Sequence, residues 1–87
     1  MQWTFTGEIE RFPGPGGWYH VDVPADISDE FERDGFIPVI AEVGVSQWET
    51  SVMPKGDGTR FVAIKAAIRK ANNLDEGDQV TVIIRRR

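Results

Sequence analysis

Val21-Asp22-Val23-Pro24-Ala25-Asp26-Ile27 and Val62-Ala63-Ile64-Lys65-Ala66-Ala67-Ile68 stand 41 residues apart and carry one pattern twice. In each, two β-branched residues spaced by two are followed at the same spacing by alanine and then isoleucine. Spacing by two places residues on one face of a strand. The same shift lays Val39 on Val80, Ala41 on Val82 and Val43 on Ile84. Each half therefore reads strand, short helix, acidic-glycine turn, strand. Two such units packed about a pseudo-twofold axis predict a mainly β fold: a small barrel of about six to seven strands capped by two short helices.

Outward from the repeat, Trp3, Phe5, Gly7 and Ile9 alternate with Gln2, Thr4, Thr6, Glu8 and Glu10, which predicts a strand with one wet face. Phe12-Pro13-Gly14-Pro15-Gly16-Gly17 reads as a loop. Tyr19, Val21 and Val23 then share a face, leaving His20 and Asp22 on the wet side. Asp26 is the expected N-cap of the first helix, Ile27 and Phe31 its inner residues, and Asp34-Gly35 its stop. Lys55-Gly56-Asp57-Gly58 marks a hairpin between the strands at Trp48–Met53 and Phe61–Ile64. Ala66–Asn72 is the second helix, with Ile68 inward, and Asp75-Glu76-Gly77-Asp78 is a tight turn before the last strand, Val80–Ile84.

The 87 residues suffice for one domain and one core, and surface scaling predicts about 5,200 Å² of accessible area for a folded monomer. With no cysteine, disulfides and thiolate metal sites are excluded. No signal-like or membrane-length apolar run occurs, so a cytoplasmic, non-membrane protein is expected, acting as a monomer. The net charge of −4 hides a gradient. Residues 1–44 set Arg11 and Arg33 against nine carboxylates, a balance of −7, and residues 45–87 balance at +3. That gradient allows one acidic and one basic face, while the acidic total makes nucleic acid an unlikely partner. Arg85-Arg86-Arg87 reads as a solvated, frayed end.

Gly17-Trp18 ahead of Val21-x-Val23-Pro24 opens a longer series. Trp48-x-Thr50-Ser51-x-x-Pro54-x-Gly56-Asp57-Gly58, Ile68-Arg69-Lys70 and Leu74-x-x-Gly77-Asp78-x-Val80-x-Val82 follow in that order. Together they resemble the domain-of-unknown-function family nineteen-oh-five. The resemblance implies a split β-barrel related to the swapped-hairpin barrels of AbrB-type regulators and antitoxins, with both units carried here by one chain. It implies no activity. By fold analogy alone it allows a nucleic-acid-binding regulator as an alternative function.

Candidate chemistry is sparse. His20, the single histidine, has no serine spaced to work with it and reads as a wet-face strand residue. One histidine and scattered carboxylates suggest no metal cluster, and no cofactor is expected. Glu8 and Glu10 share a strand face but read as solvated, and Pro13–Gly17 lacks the Lys-Ser/Thr of a phosphate loop. Asp78 is expected to accept backbone N–H groups within its turn. Nothing supports an enzyme. The best candidate is a set of Thr50, Ser51, Lys55, Arg69 and Lys70 converging on a small anion, with Trp18 or Trp48 as a stacking wall. The competing structural reading pairs Arg69 with Asp78 or another acid and leaves Lys70 in water. The expected function is a non-enzymatic binding module for a small anionic ligand or a protein segment.

Overall fold

Alternation at the N-terminus produces β1 (Gln2–Glu8) in the computed structural model, which describes residues 1–31 and 35–87. Trp3 and Phe5 point into the core while Gln2, Thr4 and Thr6 face out. Ile9, fully buried, carries the chain into β2 (Glu10–Arg11). The remaining elements are β3 (Tyr19–Val23), α1 (Ala25–Ser28), β4 (Ile37–Val43), β5 (Ser46–Pro54), β6 (Arg60–Ala63), α2 (Ala66–Ala71) and β7 (Gln79–Arg86). Their strands form one antiparallel sheet in the order β1-β7-β4-β5-β6-β3-β2. Its ends, β1 and β2, are one strand that bends at Ile9, pairing first with β7 and then with β3. The sheet thereby curls into a nearly closed barrel.

The sequence repeat is written into the register. Val21 pairs with Val62 across β3 and β6, and Glu42 pairs with Ile83 across β4 and β7. Both pairs join residues separated by the repeat spacing, which places equivalent residues opposite each other at a pseudo-twofold axis. The strand order is correspondingly palindromic: β7 exchanges with β4, β6 with β3, and β5 with the bent pair β1–β2. The sheet also interleaves the two halves of the charge gradient. Strands from the acidic and basic halves lie side by side at β1–β7, β7–β4, β4–β5 and β6–β3.

One cluster fills the barrel, with Val21, Ile37, Val39, Val52, Val62, Ile64, Val82 and Ile84 at its centre and Tyr19, Trp48 and Leu74 packed at its margin. The accessible surface of 5204 Å² matches the area expected for a globule of this mass. Among the described residues, no helix is long and apolar enough to cross a membrane.

Two local expectations are corrected, and a third falls partly outside the described residues. Pro24, not Asp26, stands at the N-cap of α1, and its carbonyl accepts from Ile27 and Ser28 at 3.1 and 2.9 Å. Extended backbone at a proline suits that position, and Asp26 moves into the first turn, where a carboxylate favours the helix dipole. Asp34, half of the expected stop signal, lies outside the described residues. Arg85-Arg86-Arg87 is not frayed: β7 runs to Arg86, and Arg87 N–H bonds Pro38 O at 3.2 Å. The Arg87 guanidinium also grips Glu49 at 2.9 Å and Thr50 O at 2.8 Å.

Gly7 is required by close approach. A Cβ there would stand 2.8 Å from Cγ1 of the fully buried Val21. Gly7→Ala is expected to cost about 1–3 kcal/mol, reduced by the lower entropy of an unfolded alanine chain. Urea denaturation checks this, and an unchanged midpoint would mean that Val21 can turn away.

Candidate functional site

The β3–β6 ladder continues past its last pair, where Ile64 N–H bonds Tyr19 O at 2.9 Å. Just beyond, Lys65 stands at the N-cap of α2, and Arg69 sits one turn later with its N–H bonded to Lys65 O at 3.1 Å. Its side chain folds back over the strand end: Nε donates to Ile64 O at 3.2 Å, and Cζ lies 3.6 Å from the Tyr19 ring centroid. A guanidinium stacked on an aromatic face is held flat, and the Nε bond leaves its two terminal nitrogens to bond elsewhere. Among the described residues neither of those nitrogens has a hydrogen-bond partner, and no carboxylate pairs with Arg69.

Gly16, Gly17 and Trp18 wall the opposite side of a cleft of about 420 Å³, completed by Ala63, Lys65 and Ala66. Trp18 is 56% exposed, unusual for so large an apolar ring. The cleft therefore offers an apolar floor, an indole wall and two cations. Its volume falls in the range of small-molecule sites.

The expected anion set is thus brought together only in part. Trp18 and Arg69 meet in the cleft, and Lys70 lies exposed on α2 outside it. Thr50 and Ser51 face Val39 and Pro38 on the β4 side of β5. Trp48 opposes Ala41 and packs against the core. Lys55 binds Asp22 Oδ1 at 2.9 Å. The expected pairing of Arg69 with Asp78 does not occur: Asp78 instead accepts Asp75 N–H at 2.8 Å, as its turn predicts. Tyr19 and Lys65 were missed. Tyr19 shares parity with Val21 and so reads as a core residue.

The wet-face reading of His20 is overturned, because the residue is only 2% exposed. Phe12 returns from the loop and stacks on its ring at 3.8 Å between centroids and 16° between planes. Phe61 closes the edge at 5.4 Å. Outside the barrel, these three rings form a small second apolar layer over β2, β3 and β6. The carboxylates read as scattered in the sequence, yet the fold brings two of them to His20. Glu10 pairs with His20 across β2 and β3, and Asp22 follows two residues along the same face. Their ligand atoms all lie within 4.8 Å of one another. Lys55 completes the group, its ammonium held above its ordinary range by the Asp22 hydrogen bond, with the charges of Asp22, Glu10 and Asp57 adding to the effect.

The barrel, its repeat and the loop-to-strand motif agree with one family. The family model described as Domain of unknown function (DUF1905) matches residues 5–84. This chain belongs to that family. No curated protein matches the chain. The DUF1905 description assigns no activity, so the chemistry of this DUF1905 barrel is argued from its cleft and its outer face.

Proposed function

We propose that this DUF1905 chain is a non-enzymatic binding module whose cleft takes a small anion with a flat or apolar body. The carrying observation is the Arg69 guanidinium, immobilised on Tyr19 with its outer nitrogens uncommitted inside an apolar cleft. Stacking and the Nε bond set the fork in advance, so a carboxylate or phosphate monoester loses little side-chain entropy on docking. Lys65 adds a second charge at the rim, and the exposed Trp18 ring supplies a face for the ligand body. No nucleophile–base pair lies among the cleft residues, which supports binding rather than turnover.

The test is titration of the chain with benzoate, phenyl phosphate and uncharged benzamide, followed through the Trp18 indole N–H resonance. The two anions are expected to shift it and benzamide to shift it weakly. Arg69→Ala should keep the fold and weaken anion binding by about tenfold or more, the loss of one charge-assisted bond. Lys70→Ala should change nothing. An unfolded Arg69→Ala would make the residue structural and remove the proposal, as would equal binding of benzamide. The alternative, a nucleic-acid-binding regulator by fold analogy, predicts duplex DNA binding that falls steeply with salt. Such binding, lost in Arg69→Ala, would replace the small-anion reading.

A further inference from the structure

We propose that Glu10, His20 and Asp22 form a site for a divalent transition-metal ion of the zinc type on the outer face of β2 and β3, with the Lys55 ammonium as the competing resident cation. The antiparallel register sets Glu10 opposite His20, and the strand period brings Asp22 onto the same face. All three side chains therefore project from one patch of paired strands.

His20 supplies the observation that points to an ion. Its Nδ1 lies 3.2 Å from Trp18 O, and a carbonyl can only accept, so Nδ1 carries the proton and Nε2 is a lone-pair donor. Phe12 and Phe61 fix the ring plane. Nε2 itself makes no hydrogen bond: Asp22 Oδ1 stands 3.7 Å away, an acceptor facing an acceptor. Lys55 satisfies Asp22 at 2.9 Å but leaves Nε2, which reaches solvent, without a protein partner among the described residues. A cation between Nε2 and the carboxylates would match all of them. The carbonyl bond at the remote ring nitrogen is also the arrangement that orients metal-ligating histidines.

The distances suit such an ion after a small closure. Ligands about 2.0–2.2 Å from a tetrahedral ion stand roughly 3.4 Å apart. His20 and Asp22 are already close to that at 3.7 Å. Glu10 is exposed and its carboxylate makes no hydrogen bond among the described residues, so a rotamer change brings it in. One imidazole and two carboxylates, with no sulfur, select zinc, nickel or copper(II) over calcium and magnesium. Three protein ligands leave a further position for solvent. Because Lys55 must yield part of its hold on Asp22, the affinity is modest and limited by that competition.

A single histidine makes the test clean, since the side-chain resonances of His20 need no assignment. The untagged chain is titrated with zinc chloride and, in parallel, with calcium chloride, and the imidazole C–H signals are followed. Zinc is expected to shift them to saturation at one equivalent, and calcium to leave them in place. Glu10→Gln, at an exposed position that the fold does not use, should weaken zinc by about tenfold or more. Lys55→Met should tighten it several-fold. The proposal is overturned if His20 is unmoved by millimolar zinc. It is also overturned if Glu10→Gln and Asp22→Asn bind zinc like the parent, or if Lys55→Met binds no tighter. None of these outcomes touches Arg69, so this site and the cleft succeed or fail separately.

Discussion

Val82→Asp is expected to leave the chain unfolded at neutral pH. Val82 is fully buried at the centre of β7, opposite Phe5 on β1 and within the cluster that fills the barrel. Removing the valine forfeits about 1.5–3 kcal/mol of apolar burial. A carboxylate in its place has no cation to meet in the core and costs several kcal/mol more. A domain of this length has roughly 4–13 kcal/mol of total stability, so the two losses consume most or all of it. Thr81→Asp provides the contrast one residue away. Thr81 is exposed, and its hydroxyl meets that of Thr6 at 3.1 Å across the β1–β7 pair, so its replacement should cost less than about 1 kcal/mol. Circular dichroism and urea denaturation of the two variants test the phase of the strand directly. A cooperative Val82→Asp transition near that of the parent would mean that β7 does not line the core.

That phase was legible because the period of a strand is local information. Trp3 and Phe5 alternate with threonines, and Val80 and Val82 flank Thr81, so each strand declares its inner face locally, although Ile83 between Val82 and Ile84 blurs the signal at the end of β7. The repeat went further and anticipated a register, since Val21 and Val62 meet across the axis that the repeat requires. The site was less legible because its contacts cross between elements. His20 looks wet in its own strand and is buried only because Phe12 returns over it from a Gly-Pro loop whose path no turn signature specifies. Tyr19 has the parity of a core residue, yet as the first residue of its strand it emerges at the barrel mouth and becomes the platform for Arg69. Thr50 and Ser51 were grouped with Lys55 by sequence proximity. A strand advances about 3.3 Å per residue, so the four steps from Ser51 to Lys55 span roughly 13 Å, and nearness in sequence carried them apart.

The two candidate sites share a structural dependence that neither one's side chains reveal. Both lean on the loop from Phe12 to Trp18: its far end walls the cleft with Trp18, and its near end covers His20 with Phe12. The loop is held by Phe12 N–H to Trp18 O at 3.0 Å and Gly17 N–H to Gly14 O at 3.3 Å. Trp18 O serves twice, since it also meets His20 Nδ1 at 3.2 Å. A single change that opens this loop should therefore disturb both faces of β3 together.

Gly17→Ala is that change. A Cβ at Gly17 would fall onto the carbonyl oxygen of Phe12, with the Phe12 carbonyl carbon 2.9 Å away and Gly14 O 3.3 Å away. These obstacles are backbone, so no rotamer relieves them, and the loop itself must move. Opening it breaks its two backbone bonds, each worth about 1 kcal/mol, and separates the Phe12 and His20 rings, a contact worth about 0.5–1.5 kcal/mol. The expected loss is therefore about 2–4 kcal/mol, read as a lower urea midpoint. Pro15→Ala, at an exposed position of the same loop, should cost less than about 1 kcal/mol, through the entropy of the unfolded chain alone. Spectroscopy separates a displaced loop from a merely weakened fold. His20 lies against the face of Phe12, so its ring protons are shielded in the parent and should move toward free-imidazole positions in Gly17→Ala. The Trp18 indole N–H should move as well and lose its response to benzoate. Parent-like resonances at both residues, together with an unchanged midpoint, would mean that the loop admits a methyl group, and that Gly17 is not what holds the indole wall and the histidine cover in place.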